Sequence, residues 1–230
     1  MTAAGVTAPI IELHGVSRRF RSDPAVDALV DVNLEVRPGD WVSVSGPSGS
    51  GKTTLLNILG FLDVQTSGTY HLEGTDTAGL SDRQRAGLRS HAIGFVFQSF
   101  YLIEHRTVLE NVMLSDVYRA GARSGRAERA LQALARVRLT GRAHFLPTRL
   151  SGGERQRAAI ARAIIGSPRV LLCDEPTGNL DSGTTTAIMD LFAELHRAGM
   201  TIVMITHEAD VAERAQRRIR IVDGRMKELQ

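Results

Sequence analysis

Nine residues, Gly46, Pro47, Ser48, Gly49, Ser50, Gly51, Lys52, Thr53 and Thr54, carry the densest chemistry in the sequence. They fit the spacing G-x-x-x-x-G-K-[ST], in which backbone amides cradle phosphates, the lysine reaches β- and γ-phosphate oxygens, and a hydroxyl meets Mg2+. Gly46, Gly49 and Gly51 would let the loop wrap its amides around an anion, and Thr53 would supply the hydroxyl. Lys52 is one of only two lysines among 28 basic residues, and a compact ammonium suits this loop where a planar guanidinium would not. A Gly/Ser-rich surface turn is the plain alternative, but an apolar strand precedes the loop and an apolar helix follows it.

A phosphate site that supports hydrolysis needs a metal ligand and a base. "RVLLCDEP" (169–176) offers an apolar run, then Asp174 and Glu175, then proline. Acids at the carboxyl end of a buried parallel strand face the edge where α/β sheets bind ligands. Asp174 would hold Mg2+, and Glu175 would orient or deprotonate the attacking water. Gln98, after "IGFVF", and His207, after "TIVMIT", close two further strands; the amide could sense the metal or the water, and the imidazole could contact a γ-phosphate. A polar strand end and a lone structural histidine are the ordinary alternatives. Cys173 reads as a small buried hydrophobe.

In "LSGGERQR" (150–157), Ser151 and Glu154 form the S-x-x-E capping box, with the serine taking the amide three residues on. Gly152 and Gly153 are not explained by a cap, and glycine costs about 1 kcal/mol in a helix interior. An exposed helix start without Cβ atoms would let a phosphate approach closely. Cap and anion site both remain open on these residues alone. Asp181, in "TGNLDS", could be the N-cap of the next helix.

Strand-like runs alternating with helical stretches predict an α/β fold with parallel strands. Residues 10–16 and 30–36 alternate loosely like antiparallel strands, followed by the turn "RPGD" (37–40). "WVSVSG" then leads into "KTTLLNILG" as strand, loop and helix. Residues 107–165 read as mostly helical, in "TVLENVMLSDVY", "RAERALQALARV" and "LSGGERQRAAIARAII". "RVLLCD" and "TIVMIT" return as strands around the helix "GTTTAIMDLFAELHRAG", and "RRIRIVDGRMKEL" reads as a hairpin turning at Asp223-Gly224. The helical stretch from about 99 to 165 is expected to be a subdomain inserted into a core of residues 1–98 and 166–230.

Whole-chain features narrow the class. At 230 residues the chain fits one domain, and its net charge of +3 is too small to argue for nucleic acid. One cysteine excludes an internal disulfide and suits a reducing compartment. With no apolar run near 18 residues, the chain is expected to be neither secreted nor membrane-spanning by itself, so work on a membrane would need a second chain to supply the span.

These motifs, in this order, resemble the ATP-binding cassette (ABC) ATPases over essentially the whole chain. "GPSGSGKTT" resembles Walker A, Gln98 the Q-loop, "LSGGERQR" the ABC signature, "VLLCDEP" Walker B, "NLD" the D-loop and "TH" at 206–207 the H-loop. The resemblance implies a P-loop NTPase core with a mainly parallel sheet, an N-terminal antiparallel β subdomain and an inserted α-helical subdomain. It implies ATP and Mg2+ as ligands, with Thr53, Gln98 and Asp174 around the metal and Glu175, His207 and Gln98 in the catalytic group.

It further implies a head-to-tail homodimer in which Ser151, Gly152, Gly153 and Glu154 close on the ATP held by a second copy, and Asp181 crosses the interface. Phe20 falls where the family stacks an aromatic on adenine, although a core strand aromatic is equally compatible with the sequence. "LLNILGFLDVQTSGTYHLEG" and "DEPTGNLDS" look most like the branch of the macrolide exporters (MacB), lipoprotein-release ATPases (LolD) and cell-division ATPases (FtsE). That branch implies a separate integral membrane permease of the MacB/FtsX type, reached through Gln98, and a peripheral location on the cytoplasmic face of the inner membrane. The alternatives are a soluble ABC ATPase of DNA repair or translation, which usually carries long insertions or two cassettes, and a binding module that uses ATP only to dimerise.

Overall fold

The computed structural model describes residues 8–117 and 124–229. Two sheets enclose one helix. The first is antiparallel, in the order β2-β1-β4-β5, built from β1 (Ile11–Phe20), β2 (Val26–Val36), β4 (Ser67–Leu72) and β5 (Thr75–Asp76). The second has the order β10-β9-β3-β8-β7-β6, from β3 (Trp41–Ser45), β6 (Ile93–Phe97), β7 (Val170–Asp174), β8 (Thr201–Ile205), β9 (Arg217–Val222) and β10 (Arg225–Leu229). Its strands are parallel except for β10, which returns antiparallel along β9. That hairpin turns at Asp223 and Gly224, both left-handed, as a two-residue turn requires.

Strand periodicity divides the core into two layers. Side chains alternate across a strand, and in β7 Val170 and Leu172 face one layer while Leu171 and Cys173 face the other. The first layer holds α1 (Lys52–Leu59) between the sheets, with Leu55, Leu56, Ile58 and Leu59 among Ile11, Val16, Val44 and Ile205. The second packs α5 (Gly152–Ile164) and α6 (Ser182–Arg197) beneath the parallel sheet, where Ile160, Ile188 and Phe192 meet Leu171 and Met204. Each fully buried side chain of this kind contributes roughly 1.5–3 kcal/mol, so both faces of the sheet are firmly held.

The segment after Phe61, which carries little apolar periodicity, folds as β4, β5 and α2 (Asp82–Ala92). In α2 only Ala92 is buried; a Ser81–Gln84 capping box defines its start instead. The expected helix at 107–118 is α3 (Val108–Met113) followed by a 3-10 turn at Leu114–Asp116, and its last residue, Tyr118, lies outside the described residues. α4 (Arg126–Arg136) packs against α3 and α5, and a four-residue α7 (Ala209–Ala212) follows β8.

Two buried polar groups shape the helical region. Asn111 is fully buried; its Nδ2 donates to the carbonyls of Ile103, Arg106 and Thr107, and its Oδ1 accepts from the Ile103 amide, which pins the loop after β6. Asp116 is also fully buried and accepts from Arg129 at 2.5 and 3.1 Å, with Arg126 at 3.9 Å. The two arginines are part-exposed, so deleting the buried carboxylate costs about the worth of its charge-assisted hydrogen bonds, roughly 1.5–3 kcal/mol. Asp116→Ala is therefore expected to lower the melting temperature by about 3–12 °C. A calorimetric scan showing a shift below about 2 °C would contradict that reading of the cluster.

Candidate nucleotide site

The phosphate loop leaves β3 through a crowded passage. Gly46 has φ 152°, and a Cβ there would lie 2.1 Å from the Ile221 carbonyl oxygen. Gly51 has φ 106°, and its Cβ would lie 2.2 Å from the Ala28 oxygen. Two strands of different sheets thus approach the loop so closely that no side chain fits at either end. Pro47, Ser48 and Gly49 are exposed between them, and Gly49 is left-handed at φ 76° with open space around it.

Gly51 caps α1 without a side-chain hydrogen bond, and no acid stands in the first turn of that helix. Its free amides and dipole therefore present positive potential to the loop. Lys52 Nζ donates to the carbonyls of Gly46 (2.9 Å) and Pro47 (2.8 Å), which fixes the ammonium across the loop and leaves its third proton for a ligand. Ser50 Oγ is buried without a partner, Thr53 is exposed and Thr54 half-buried. Phe20 is 37% exposed and joins Gly49, Gly51, Lys52, Thr53 and Thr54 around a hollow of about 270 Å3. It is therefore no core aromatic: Arg18 lies 4.5 Å over its ring, and the ring stands at the mouth of the loop.

Parallel pairing gathers the remaining residues at one edge. Phe97 pairs with Asp174, and Asp174 with Ile205, so Gln98, Glu175 and Thr206-His207 leave three adjacent strands together. β3 pairs with β8 through Val44 and Ile205, which brings the phosphate loop to the same edge. Burial raises the Asp174 carboxyl above the usual carboxylate range, the Glu175 charge raises it further, and Lys52 opposes both. Glu175 sits in the left-handed region at φ 45° and its amide donates to the Ile205 carbonyl. Its Oε1 lies 3.0 Å from His207 Nδ1, so the base candidate and the histidine are in direct contact.

Gln98 turns toward the D-loop. Its Nε2 donates to Asn179 Oδ1 at 3.4 Å, while Asn179 Nδ2 donates back to the Gln98 carbonyl at 3.1 Å. Its side-chain Oε1 is the atom left to meet a cation. Asp181 caps α6, taking the Thr184 amide at 2.9 Å and the Thr184 hydroxyl at 2.6 Å, and these bonds hold its carboxyl below the usual range. The expected capping box at Ser151 is present: its Oγ accepts the Glu154 amide (3.3 Å) and Glu154 accepts the Ser151 amide (2.9 Å). Arg142 also donates to Glu154, at 2.8 Å.

The glycines of the signature have a reason inside the chain. A Cβ on Gly153 would lie 2.6 Å from Thr184 Cγ2, and one on Gly152 would lie 3.3 Å from Leu180 Cδ2. The start of α5 is packed on the start of α6, a contact that the stretch 150–157 read by itself could not reveal. Two more links escaped sequence reading: the His207–Glu175 contact, and the Thr177 hydroxyl donating to Glu208 at 3.2 Å between the Walker B turn and the H-loop. Only the adjacency of β7 and β8 brings those residues together.

An uncapped helix after a glycine loop, with acids and an imidazole at one parallel-strand edge, defines a P-loop nucleoside triphosphatase. The sequence profile of the ABC transporter family matches residues 29–178, and the chain belongs to that family. It is 45% identical over 218 residues to the ABC transporter ATP-binding protein YvrO of Bacillus subtilis (strain 168), covering 94% of this chain and 95% of that one. It is 46% identical over 219 residues to the macrolide export ATP-binding/permease protein MacB of Chlorobium luteolum, covering 95% of this chain but 33% of that one. This chain therefore spans about a third of that relative. A dimeric post-hydrolysis structure of the cassette MJ0796 bound to ADP and Pi superposes with TM-score 0.85 at 41% identity, covering 96% of this chain and 99% of that one. This chain is an ATP-binding cassette with ATPase chemistry.

Two outcomes follow from the site geometry. Gly153→Ala is expected to cost about 1–3 kcal/mol through the Thr184 methyl, and Thr184→Ser in the same chain to restore most of it while keeping the bond to Asp181. Equal melting temperatures for native protein and Gly153→Ala would contradict the packing. For Asp174, a folded-state pKa above the unfolded value means that stability falls as pH rises through the folded value. Asp174→Asn should therefore raise the melting temperature of the nucleotide-free protein, by more at pH 8 than at pH 4; a decrease at pH 8 would contradict it.

Proposed function

We propose that two copies of this chain close head to tail on two Mg·ATP and drive a separate integral membrane permease from the cytoplasmic face of the membrane. The observation that carries the reading is the pairing of an uncapped α1 with Asp174, Glu175 and His207 at one edge, while exposed Ser151 stands on another helix outside the lining of the loop's hollow. A second copy brings Ser151, Gly152, Gly153 and Glu154 to the far side of the triphosphate, with Asp181 at the seam. The Ser151 oxygen accepts its cap amide and the hydroxyl proton remains to donate to phosphate, so cap and clamp are compatible.

Phosphate oxygens lie against the backbone amides at Ser48–Thr54 and the free proton of Lys52, and Phe20 stacks on adenine with the ring face that Arg18 leaves open. Thr53, Asp174 and Gln98 offer hydroxyl, carboxylate and carboxamide oxygens, a hard donor set that suits Mg2+. Bound there, Mg2+ neutralises charge on the β- and γ-phosphates. Glu175 accepts a proton from water as the water oxygen bonds to the γ-phosphorus, and the bond from that phosphorus to the β–γ bridging oxygen breaks. His207 holds the Glu175 carboxylate and contacts the γ-phosphate.

The dimer of the MJ0796 cassette with ADP and Pi supports both the pairing and the reaction. The transporter relatives, including MacB, support a permease partner of the MacB/FtsX type over a role in DNA repair or translation. No helix among the described residues is long and apolar enough to cross a membrane, so on this reading the span belongs to the permease. A groove of about 1180 Å3 lined by Phe95, Phe97 and Tyr101, which flank Gln98 in the chain, supports docking of the permease there. The helical region at 99–165 carries the movement.

Glu175→Gln should bind ATP, accumulate as a nucleotide-bound dimer and lose about 100-fold or more of its turnover. Light scattering with a phosphate-release assay checks this. Near-native turnover, or a monomer at saturating ATP, would overturn the reading.

A further inference from the structure

Gln156 lies on α5, about one and a half turns beyond Ser151, and is fully buried. One turn on along the same face stand Ala159 and Ile160, both buried as well. A primary amide in such a setting is costly unless it bonds, and its Nε2 donates to the Pro176 carbonyl at 2.6 Å. Pro176 follows Glu175 directly, and Glu175 is a non-glycine residue in the left-handed region at φ 45°. Such a conformation persists only where the surroundings over-determine it.

Besides the side-chain contacts of Glu175 and Thr177, three hydrogen bonds engage the backbone of Glu175 and Pro176. The Glu175 amide donates to the Ile205 carbonyl at 3.0 Å, the Gly178 amide donates to the Glu175 carbonyl at 3.1 Å, and Gln156 holds the next carbonyl along. The first belongs to β8 and the second closes the turn on itself. Only the third reaches from another layer of the fold. Gln156 Oε1 is buried with no partner, so the side chain is kept for its donor.

We propose that Gln156 is a positioning residue for Glu175: its bond to the Pro176 carbonyl holds the left-handed turn that keeps the Glu175 carboxylate beside His207. The proposal rests on the reading of Glu175 as the proton acceptor. It also gives α5 two duties, because the helix that begins at the phosphate-clamping Ser151 supports the base of its own chain.

The test is a double-mutant cycle on the full chain. Gln156→Met keeps the length and removes the donor. In the native background it should lower kcat by roughly ten- to a hundred-fold, with KM for ATP changed less than about twofold. In the Glu175→Gln background it should change the residual single-turnover rate less than about twofold and leave ATP-driven pairing intact, because its effect passes through Glu175. A purely structural or clamp role would instead raise KM, abolish pairing or lower the rate equally in both backgrounds; any of these overturns the proposal. Should Gln156→Met fail to fold, Gln156→Asn, one methylene short of the carbonyl, is measured in the same cycle against the same outcomes. Near-native turnover of Glu175→Gln alone would overturn the parent reading, a result separable from additivity in the cycle.

Discussion

The unsatisfied amides at the start of α1 are the constraint around which this molecule is arranged. α2, α5 and α6 each begin with a side chain that takes the free N–H three residues on, and α4, which begins at a glycine, has Glu128 in its first turn. α1 has neither cap nor acid. A helix start left open in this way attracts an anion, and the loop that leads to it is closed in at both ends, where Gly46 and Gly51 leave no room for a side chain. The same parallel sheet that delivers the loop delivers Asp174, Glu175 and His207 to its edge, so attraction and chemistry have one geometric origin.

Much of this was legible in the residues. β6, β7 and β8 are short, largely buried apolar runs, and each is followed by polar residues that stand at the candidate site: Gln98, Asp174 with Glu175, His207. The capping box at Ser151 and the cap at Asp181 are local patterns and form as their spacing predicts. The region from 61 to 92 was not legible, because α2 buries only Ala92 and β4 is a short strand with half its residues exposed. The cause of Gly153 was not legible either. It lies in Thr184, thirty-one positions away, and a helix-to-helix contact of that separation leaves no mark in a local pattern.

α5 links the parts that must act together. Its first turn packs on α6, Gln156 bonds the Walker B turn, and Arg162 donates to the carbonyls of Phe100 and Tyr101 just past Gln98. Burial lowers the Arg162 pKa from its ordinary value, so those two carbonyls stand in for lost water. α5 thus has direct contacts to the turn after Glu175, to the loop after Gln98 and to the start of α6. On the proposed function, that is how closure on ATP reaches a permease docked near Phe97 and Tyr101.

The central claim is that the triphosphate is shared between the α1 end of one copy and Ser151 of another. Ser48→Cys and Ser151→Cys in one chain, with native Cys173 fully buried and out of reach, test it through oxidative cross-linking. The account predicts a disulfide between two chains that forms with Mg·ATP in the Glu175→Gln background and not without nucleotide. Cross-linking that is indifferent to ATP, or confined within one chain, would contradict it.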